Sequence, residues 1–363
     1  MMPVTMNILD SYYLAGIQQG LSPAPTFFRD RYFPTAASDI FAADKVLVEY
    51  RDGDTQMAPF MVERANPIEV ARKPYEIHDY APVKLANSRA LRIDDLKKRG
   101  FGEAILTDAT EAERATKLIM YDLQDLNRRF DRSEEWLCAQ TIINNGFSVD
   151  EMIDANLKGN TATVAFYDVN NGNDAAYTIS PKWDASGVTF ADIAGDIRAM
   201  CRMLTERCLP VADLILGVDV ADVLLSNSDF RDVINKTSGL IVGTVEETLG
   251  AYDGISYLGT LNFHGYRLNC IVVDERYKNS SGVATNYFPA KGVAVTAPNA
   301  GHLMYAHITH ITEGGDFVTI TGKRIPDLFV DRRNKTRELI LESRPFAAPQ
   351  ARSPWIYAAN AVS

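Results

Sequence analysis

The chain has 363 residues, of which 46% are hydrophobic and 23% are charged. It can therefore form a packed core and is long enough for two or three domains. Its formal net charge of -10 argues against a protein that grips duplex DNA, because that affinity comes largely from Lys and Arg. An apolar run long enough for a transmembrane helix is missing, as are the features of a secretory signal, so we expect a cytosolic chain.

Residues 1–45 are predicted to form an arm. The stretch LSPAPTFFRDRYFP at 21–34 carries three prolines, which fix φ and remove backbone donors, so we expect it to be extended. Its aromatic side chains must lie on an apolar surface: Phe27, Phe28, Tyr32 and Phe33. That surface could belong to the same domain or to a neighbouring subunit.

Residues 46–88 are predicted to form a long two-stranded projection. VLVEY at 46–50 alternates with period two, and the turn-rich RDGDTQ follows it. Four downstream prolines exclude a central position in a sheet: Pro59, Pro67, Pro74 and Pro82. An isolated hairpin is marginally stable in water, so this one needs a surface, either its own domain or a neighbouring copy.

A single long helix is predicted over residues 108–145. Asp108 and Glu111 have the spacing of a capping box, and Gly146 lies where the helix would stop. Its apolar residues form one narrow stripe, which predicts a strut lying across a sheet: Ala112, Ile119, Leu123, Leu126, Phe130 and Leu137. Three arginines cluster on it, either solvated and ion-paired or facing an adjacent subunit: Arg128, Arg129 and Arg132.

The rest of the chain mixes predicted strands and helices. TATVAFYDV and AAYTISP flank NNGND at 170–174 and predict a β-hairpin. Residues 188–210 predict an amphipathic helix with one apolar face: Phe190, Ile193, Ile197, Met200 and Leu204. From about residue 211 the pattern indicates a compact α/β or α+β unit, followed by strands that leave it and a short tail anchored by Trp355 and Tyr357.

The sequence contains no motif that predicts catalysis. GxSxG, the P-loop, GxGxxG after a strand and HExxH are all missing. His302, His307 and His310 form the one cluster worth weighing, but on a strand His307 and His310 point to opposite faces, so we interpret them as structural. The cysteines show no CxxC pair and are expected to be free and mostly buried: Cys138, Cys201, Cys208 and Cys270. We assign no catalytic residue, metal or cofactor.

An arm, a projecting hairpin, a long strut helix and a compact α/β unit, in that order, are an unusual combination. With them, the chain resembles the lambda-like major capsid protein E family of tailed phages over nearly its whole length. The blocks that carry the resemblance are PTFFRDRYFP at 25–34, VLVEYRDGDTQMAPFM at 46–61, YAPVKL at 80–85 and KRIPDLFVDRRNKTRELILESRPFAAP at 323–349.

The resemblance implies the α+β fold of the Hong Kong 97-type phage capsid. In this numbering it implies an N-terminal arm at 1–45 and an extended loop at 46–88. It also implies a peripheral domain at 89–210 and 316–363, with the spine helix at 108–145, and an axial domain at 211–315. We assign no covalent cross-link.

The implied function is the major head protein of a double-stranded DNA phage or prophage, assembled as hexamers and pentamers of an icosahedral shell. The implied partners are a separate scaffolding protein, a portal protein and, in some relatives, a decoration protein, with the genome enclosed without sequence-specific binding. The virion capsid is the implied location, with assembly in the host cytoplasm. Our candidate contacts between subunits are charged groups and one aromatic anchor: Arg29, Arg31, Lys73, Arg128, Arg129, Arg332, Arg333 and Trp355.

Two other functions remain open from the sequence alone. The same fold could form the shell of a bacterial nanocompartment, which encloses a cargo enzyme instead of DNA. An enzyme that uses the region from His302 to His310 is the second alternative, and bound metal would identify it.

Overall fold

The computed structural model describes residues 26–50, 76–92, 111–154, 157–227, 229–230, 252, 254–263, 265–279, 282–311, 316–331, 333 and 336–363. The helices in these ranges are α1 (Phe27–Tyr32), α2 (Glu111–Asn144), α3 (Phe190–Glu206) and α4 (Val218–Ser226). The first strands along the chain are β1 (Ile40–Phe41), β2 (Val46–Tyr50), β3 (Glu76–Tyr80), β4 (Leu85–Arg92), β5 (Gly146–Asp154), β6 (Leu157–Ala165), β7 (Ala176–Tyr177), β8 (Asp213–Gly217), β9 (Ile255–Phe263) and β10 (Tyr266–Val273). The later strands are β11 (Arg276–Lys278), β12 (Ala284–Asn286), β13 (Val293–Thr296), β14 (Gly301–Ala306), β15 (Ile308–Ile311), β16 (Phe317–Ile320), β17 (Ile325–Asp331), β18 (Thr336–Ser343), β19 (Pro345–Pro349) and β20 (Ile356–Ala358).

The long helix α2 lies across an antiparallel sheet of three strands in the order β17, β18, β4. Its apolar stripe packs on the leucines that these strands turn toward it: Ile119, Leu123, Leu126 and Phe130 against Leu328, Leu339 and Leu341. The predicted strut and its sheet are therefore confirmed. The predicted capping residue Asp108 lies outside the described residues.

The C-terminal end of α2 also follows the prediction. Asn145, just after the last helical residue, adopts a left-handed φ of 50° and breaks the hydrogen-bond ladder. Gly146 then starts β5 at a φ of 154°, where an added Cβ would lie 2.2 Å from the carbonyl oxygen of Val164. Only glycine allows the strand to leave the helix so close to its partner strand β6.

A six-stranded mixed sheet, in the order β7, β20, β13, β8, β10, β9, separates two apolar cores. All five residues of β8 are buried, because both faces of the sheet are covered. Leu214 and Leu216 face a core formed with α3 and α4, whereas Ile215 faces the core that contains α1 and the end of α2. The predicted apolar face of α3 is confirmed, with Ile193, Ile197, Met200 and Leu204 all buried.

The two ends of the predicted extended loop pair with each other. β2 and β3 are antiparallel, from Val46 opposite Tyr80 to Tyr50 opposite Glu76. Val46 and Val48 are buried in the core beside α1, so this end of the loop rests on its own domain. Residues 51–75, between the two strands, lie outside the described residues.

The stretch that we predicted as extended, 21–34, contains the helix α1 instead. The prolines bracket the sequence from 26 to 33 without interrupting it, so the amides from 27 onward remain free to bond. Asp30 N–H donates to the carbonyl of Thr26, and Phe33 N–H donates to that of Arg29. All four aromatic side chains of this segment are buried within the same chain. The apolar surface that covers them therefore belongs to their own subunit and not to a neighbour.

The predicted hairpin on either side of NNGND is wrong. β6 pairs with β5, which precedes it, and β7 joins β20 in the six-stranded sheet. The turn at 169–171 exists, but the strands beside it find partners elsewhere. Alternating polarity predicted strands at 161–169 and 175–181, which overlap β6 and β7 only in part, and it could not specify which strand each one pairs with.

The C-terminal segment is a sheet strand and not a tail. β20 pairs with both β13 and β7, and Trp355 just before it is completely buried against Phe33. The six-stranded sheet thus includes strands from both ranges that we assigned to separate domains. The four cysteines are free, as predicted, with Cys208 exposed and the other three buried. Among the described residues, none of the helices is both long and apolar enough to cross a membrane.

Trp355→Ala should lower the free energy of unfolding by about 3 kcal/mol or more, because it leaves a cavity beneath the sheet. Thermal or denaturant unfolding measures this loss. Trp355→Phe is the matched control: it keeps most of the apolar volume, and the indole N–H that it removes has no acceptor among the described residues. Equal losses for the two variants would contradict a role based on packing volume.

Candidate functional site: the arm junction

The helix α1 is the meeting point of the arm, the long helix and the six-stranded sheet. We call this place the arm junction and define it as residues 26–33 together with Asp131, Glu134, Glu135, Asp213 and Arg324. The aromatic side chains of α1 fill its apolar part. Phe27 packs edge-on against Phe28 and Tyr32, and Phe28 stacks on Phe288, with ring centroids 6.2 Å apart.

The N-terminus of α1 is capped by a carboxyl group of the long helix. Phe28 N–H donates to Glu135 Oε1 at 2.7 Å, and Arg29 N–H donates to Glu135 Oε2 at 2.9 Å. Both amides lie in the first turn of a helix, where no intrahelical acceptor exists. A six-residue helix has little stability of its own, so this cap and the aromatic packing hold it in place.

Two arginines from distant parts of the chain share two buried carboxylates of α2. Arg29 Nη1 lies 2.7 Å from Asp131 Oδ1 and 3.1 Å from Glu134 Oε2. Arg324 Nη2 lies 2.6 Å from Asp131 Oδ1 and 2.9 Å from Glu134 Oε2. The Glu134 side chain is 0% exposed, and that of Arg324 is 9% exposed. Two positive groups therefore balance two negative groups in a site that water barely reaches.

The next arginine of the arm binds the sheet. Arg31 donates through Nε and Nη2 to the two oxygens of Asp213, at 2.6 and 2.9 Å. The Tyr32 hydroxyl and the Asn269 amide also donate to this carboxylate. Asp213 is the first residue of β8 and is fully buried. Arg29 and Arg31, two residues apart, thus bind α1 to the long helix α2 and to the six-stranded sheet.

Burial changes the titration of the junction. Desolvation, followed by the nearby charge of Glu275, raises the pKa of Glu135 to about 8, although the two backbone amides oppose the shift. Burial and then the Asp213 charge raise the pKa of Tyr32 well above its usual value. Apart from Glu135, the charged groups of the junction are held in ion pairs.

The three histidines do not converge on one point. His302 Nδ1 lies 3.5 Å from Asp39 Oδ2, and His307 Nε2 lies 3.6 Å from Asp44 Oδ1. His310 lies between Asp327 and Glu342, and its hydrogen bond to Asp327 is the main reason its pKa is raised. Within the described ranges, no group of His, Cys, Asp or Glu side chains is placed to hold a metal ion.

The residues that we predicted as contacts between subunits are scattered over the structure. Arg29, Arg31 and Trp355 make the contacts described above within their own chain. Arg128 and Arg129 are exposed on α2, and Arg129 pairs with Asp125. Arg333 is exposed beside Asp331 at the end of β17, whereas Lys73 and Arg332 lie outside the described residues. Their role between subunits stays a prediction.

Sequence reasoning missed the acidic half of the junction. Glu134 lies four residues after Phe130 and three before Leu137, on the apolar stripe of α2. A carboxylate in that position needs a buried cation. A charged residue within an apolar stripe was therefore the available signal for a buried ion pair. The sequence could not identify Arg29 and Arg324 as the partners.

Arg324→Ala should lower the free energy of unfolding by about 3–5 kcal/mol, because it leaves two buried carboxylates with one cation. Urea unfolding of the purified chain measures it. Arg89→Ala is the control: Arg89 also bonds two carboxylates of α2, Asp122 and Asp125, but its side chain is 37% exposed. The control should cost no more than about 1 kcal/mol, and a comparable loss would refute the distinction.

Glu135 should make the protein less stable as the pH rises. Because folding raises its pKa from 4.5 to about 8, the folded state holds the proton more tightly. The stabilisation is therefore full below the unfolded pKa and is lost as the pH passes through the folded pKa.

Glu135→Gln keeps a neutral side chain at every pH. The free energy of unfolding of the wild type, minus that of this variant, should fall by a few kcal/mol at most from about pH 5 to about pH 9. Denaturant titrations across this range measure the difference. Glu206→Gln, at an exposed carboxylate on α3, should run parallel to the wild type. A parallel curve for Glu135→Gln would contradict the raised pKa.

Comparison with known proteins agrees with this architecture. The family profile of phage major capsid protein E matches residues 10–360. In structure the chain is similar to one assigned as the capsid protein of a prophage of E. coli CFT073, with 14% sequence identity, a TM-score of 0.67, and coverage of 97% of this chain and 99% of that chain. It is also similar to a phage-related protein from Bordetella bronchiseptica RB50, with 11% identity, a TM-score of 0.51 and 97% coverage of both chains. No curated protein matches the chain in sequence.

At these identities the structural likeness shows the fold alone, and it confirms the predicted α+β capsid fold of the Hong Kong 97 type. The family match covers nearly the whole chain, including the arm junction and both ends of the extended loop. The chain belongs to the phage major capsid protein E family.

Proposed function

We propose that the chain assembles as hexamers and pentamers of an icosahedral shell that encloses the genome of a double-stranded DNA phage or prophage. The observation that carries this proposal is the family match over residues 10–360, together with a capsid fold over 97% of the chain. The arm junction supports it, because a shell subunit needs a rigid body from which thin contact elements extend. The net charge of -10 supports enclosure of DNA without tight binding.

The extended loop at 46–88 is the proposed contact with the neighbouring subunit. Its two ends, β2 and β3, are anchored on their own core by Val46, Val48 and Tyr80. An ion pair between Lys45 and Asp79 closes the pair of strands at the same end. The proposed contact segment is therefore attached at both of its ends to the core of its own subunit.

We assign residues 1–45 as the arm, 89–210 and 316–363 as the peripheral domain and 211–315 as the axial domain. The packing of α2 on β4, β17 and β18 supports a peripheral unit built around the spine helix. Charged residues at the subunit contacts would set the register of neighbours more than the strength of their binding.

Family membership also suggests the partners. We infer a separate scaffolding protein during assembly in the host cytoplasm, a portal protein at one vertex and possible decoration of the finished shell in the virion. These partners can be tested by purifying particles from a lysate of infected or induced cells and identifying the proteins that sediment with the capsid.

The expected product of expressing the full chain is a ring or shell of many copies. Negative-stain microscopy and sedimentation velocity, over a range of protein concentrations, distinguish this product from a monomer. Nucleic acid and a portal inside particles from cells support the phage function. Protein cargo without nucleic acid would indicate the nanocompartment, and a chain that stays monomeric at its highest soluble concentration would refute self-assembly.

Replacing residues 51–75 with a short Gly-Ser linker should abolish shells and leave a folded, soluble subunit. The strands β2 and β3 remain, so the core that they cover is intact. Circular dichroism and thermal unfolding check the fold, and electron microscopy checks assembly. A linker of the same composition inserted in the exposed turn at 169–171 is the control and should still give shells. Normal particles without the loop would show that it has no role in assembly.

A further inference from the structure

The hairpin β5–β6 is a second candidate contact element, and it is separate from the extended loop. Its base is buried, with Phe147 packed in the core beside α1 and Gly146 fixing its exit from α2. Beyond Val149 the side chains described on both strands are exposed as far as Thr161. Among the residues that the structure describes, none therefore covers the outer half of the hairpin. We call residues 150–153 and 157–161 the hairpin tip.

The hairpin tip exposes large apolar side chains. Met152 is 53% exposed, Ile153 is 71% exposed and Leu157 is 56% exposed. A two-stranded ribbon with both faces in water is marginally stable, and three such side chains at its end add to the cost. A partner that covers the tip would remove this cost.

The charges on the tip are mainly negative. Asp150 is already paired with Lys158, whose Nζ lies 2.7 Å away, and it accepts a hydrogen bond from the Thr161 hydroxyl. Glu151 is exposed, and no hydrogen bond or ion pair reaches it from the described part of the chain. The tip therefore combines an apolar end with one carboxylate that is free to pair.

The outer face of α2 has the opposite character. Tyr121, Arg128 and Arg132 are all exposed and lie on one side of the helix at spacings of seven and four residues. Neither arginine has a hydrogen-bond or ion-pair partner among the residues that the structure describes, in contrast to Arg29 and Arg324 on the inner side. This face offers the free guanidinium group of Arg128 and the exposed one of Arg132, whose charge also acts on Tyr287, together with an aromatic ring.

The geometry points to docking of the hairpin tip on the Tyr121–Arg132 face of α2 in a second copy of the chain. Arg128 lies 16 residues before the end of α2, about 24 Å from the hairpin base along the helix axis. Both surfaces are exposed, and no hydrogen bond or ion pair joins them among the described residues, so copies arranged head to tail can each provide both. Such a heterologous contact closes into a ring when the rotation fits. The inference rests on the proposed shell function and adds one contact to it.

Charge reversal tests the contact in the full chain. Glu151→Arg alone, and Arg128→Glu with Arg132→Glu, should each lower the fraction of protein in particles by about tenfold or more, because like charges then meet at every copy of the contact. Glu151→Arg combined with both Arg128→Glu and Arg132→Glu should restore assembly to within about threefold of the wild type. Sedimentation and electron microscopy measure the fraction, and thermal unfolding checks the fold.

The matched control reverses an equivalent pair on another helix. Arg198 and Arg202 are exposed and four residues apart on α3, so Arg198→Glu with Arg202→Glu adds the same charge at a different place. This variant should assemble normally. A loss equal to that of the α2 pair, or a combined variant that fails to recover, would overturn the proposed contact.

Cross-linking tests the same contact directly. In a Cys208→Ser background, Glu151→Cys with Arg128→Cys should give a reducible ladder of linked subunits after mild oxidation, because each chain carries both halves. Val169→Cys with Arg128→Cys is the control, since Val169 is also exposed but lies outside the tip. If the parent chain forms shells and the first pair gives no ladder, this contact is refuted and the shell function stands. If the parent chain forms no oligomer, the shell function itself fails.

Discussion

The buried carboxylates Asp131 and Glu134 impose the constraint on which the rest of the structure depends. Two anions side by side on a helix, out of water, are tolerable only with two cations bonded to them. One cation comes from the arm, at Arg29, and the other comes from Arg324, just before β17. The ion pairs of these two carboxylates thus bring together three parts of the chain that are far apart in sequence. Arg31 extends the link to the sheet through Asp213, so α1 is held from both sides.

This arrangement separates a rigid body from thin elements that leave it. The body consists of α2 on its sheet and of the six-stranded sheet between its two cores. The extended loop and the hairpin β5–β6 both start from buried bases, and the side chains described on the outer half of the hairpin are exposed. In a member of a capsid family, elements that leave a packed body in this way can contact neighbouring copies. Several modest contacts per subunit then add up through closure.

The sequence predicted those parts of the fold that depend on local pattern. The helix α2 follows from its narrow stripe and from the absence of Pro and Gly, and it ends where Asn145 and Gly146 stand. The helical periodicity likewise predicted the apolar face of α3. The errors came from elsewhere: α1 is a helix because Glu135 and the aromatic core stabilise it, and β6 pairs with β5 and not with the strand after the NNGND turn. Both depend on partners that no local window contains.

What the sequence by itself determined is the strut helix, the amphipathic helix α3, part of the set of strands and the order of segments that identifies the family. Local propensity and periodicity carry that information, since each depends on neighbours a few residues away. What only the tertiary structure decided is pairing: Arg29 with Asp131 and Arg31 with Asp213, each more than a hundred residues apart, and β20 in the central sheet. Opposite charges and alternating strands have many candidate partners in a chain of this length, and only the packed fold brings one of them within bonding distance.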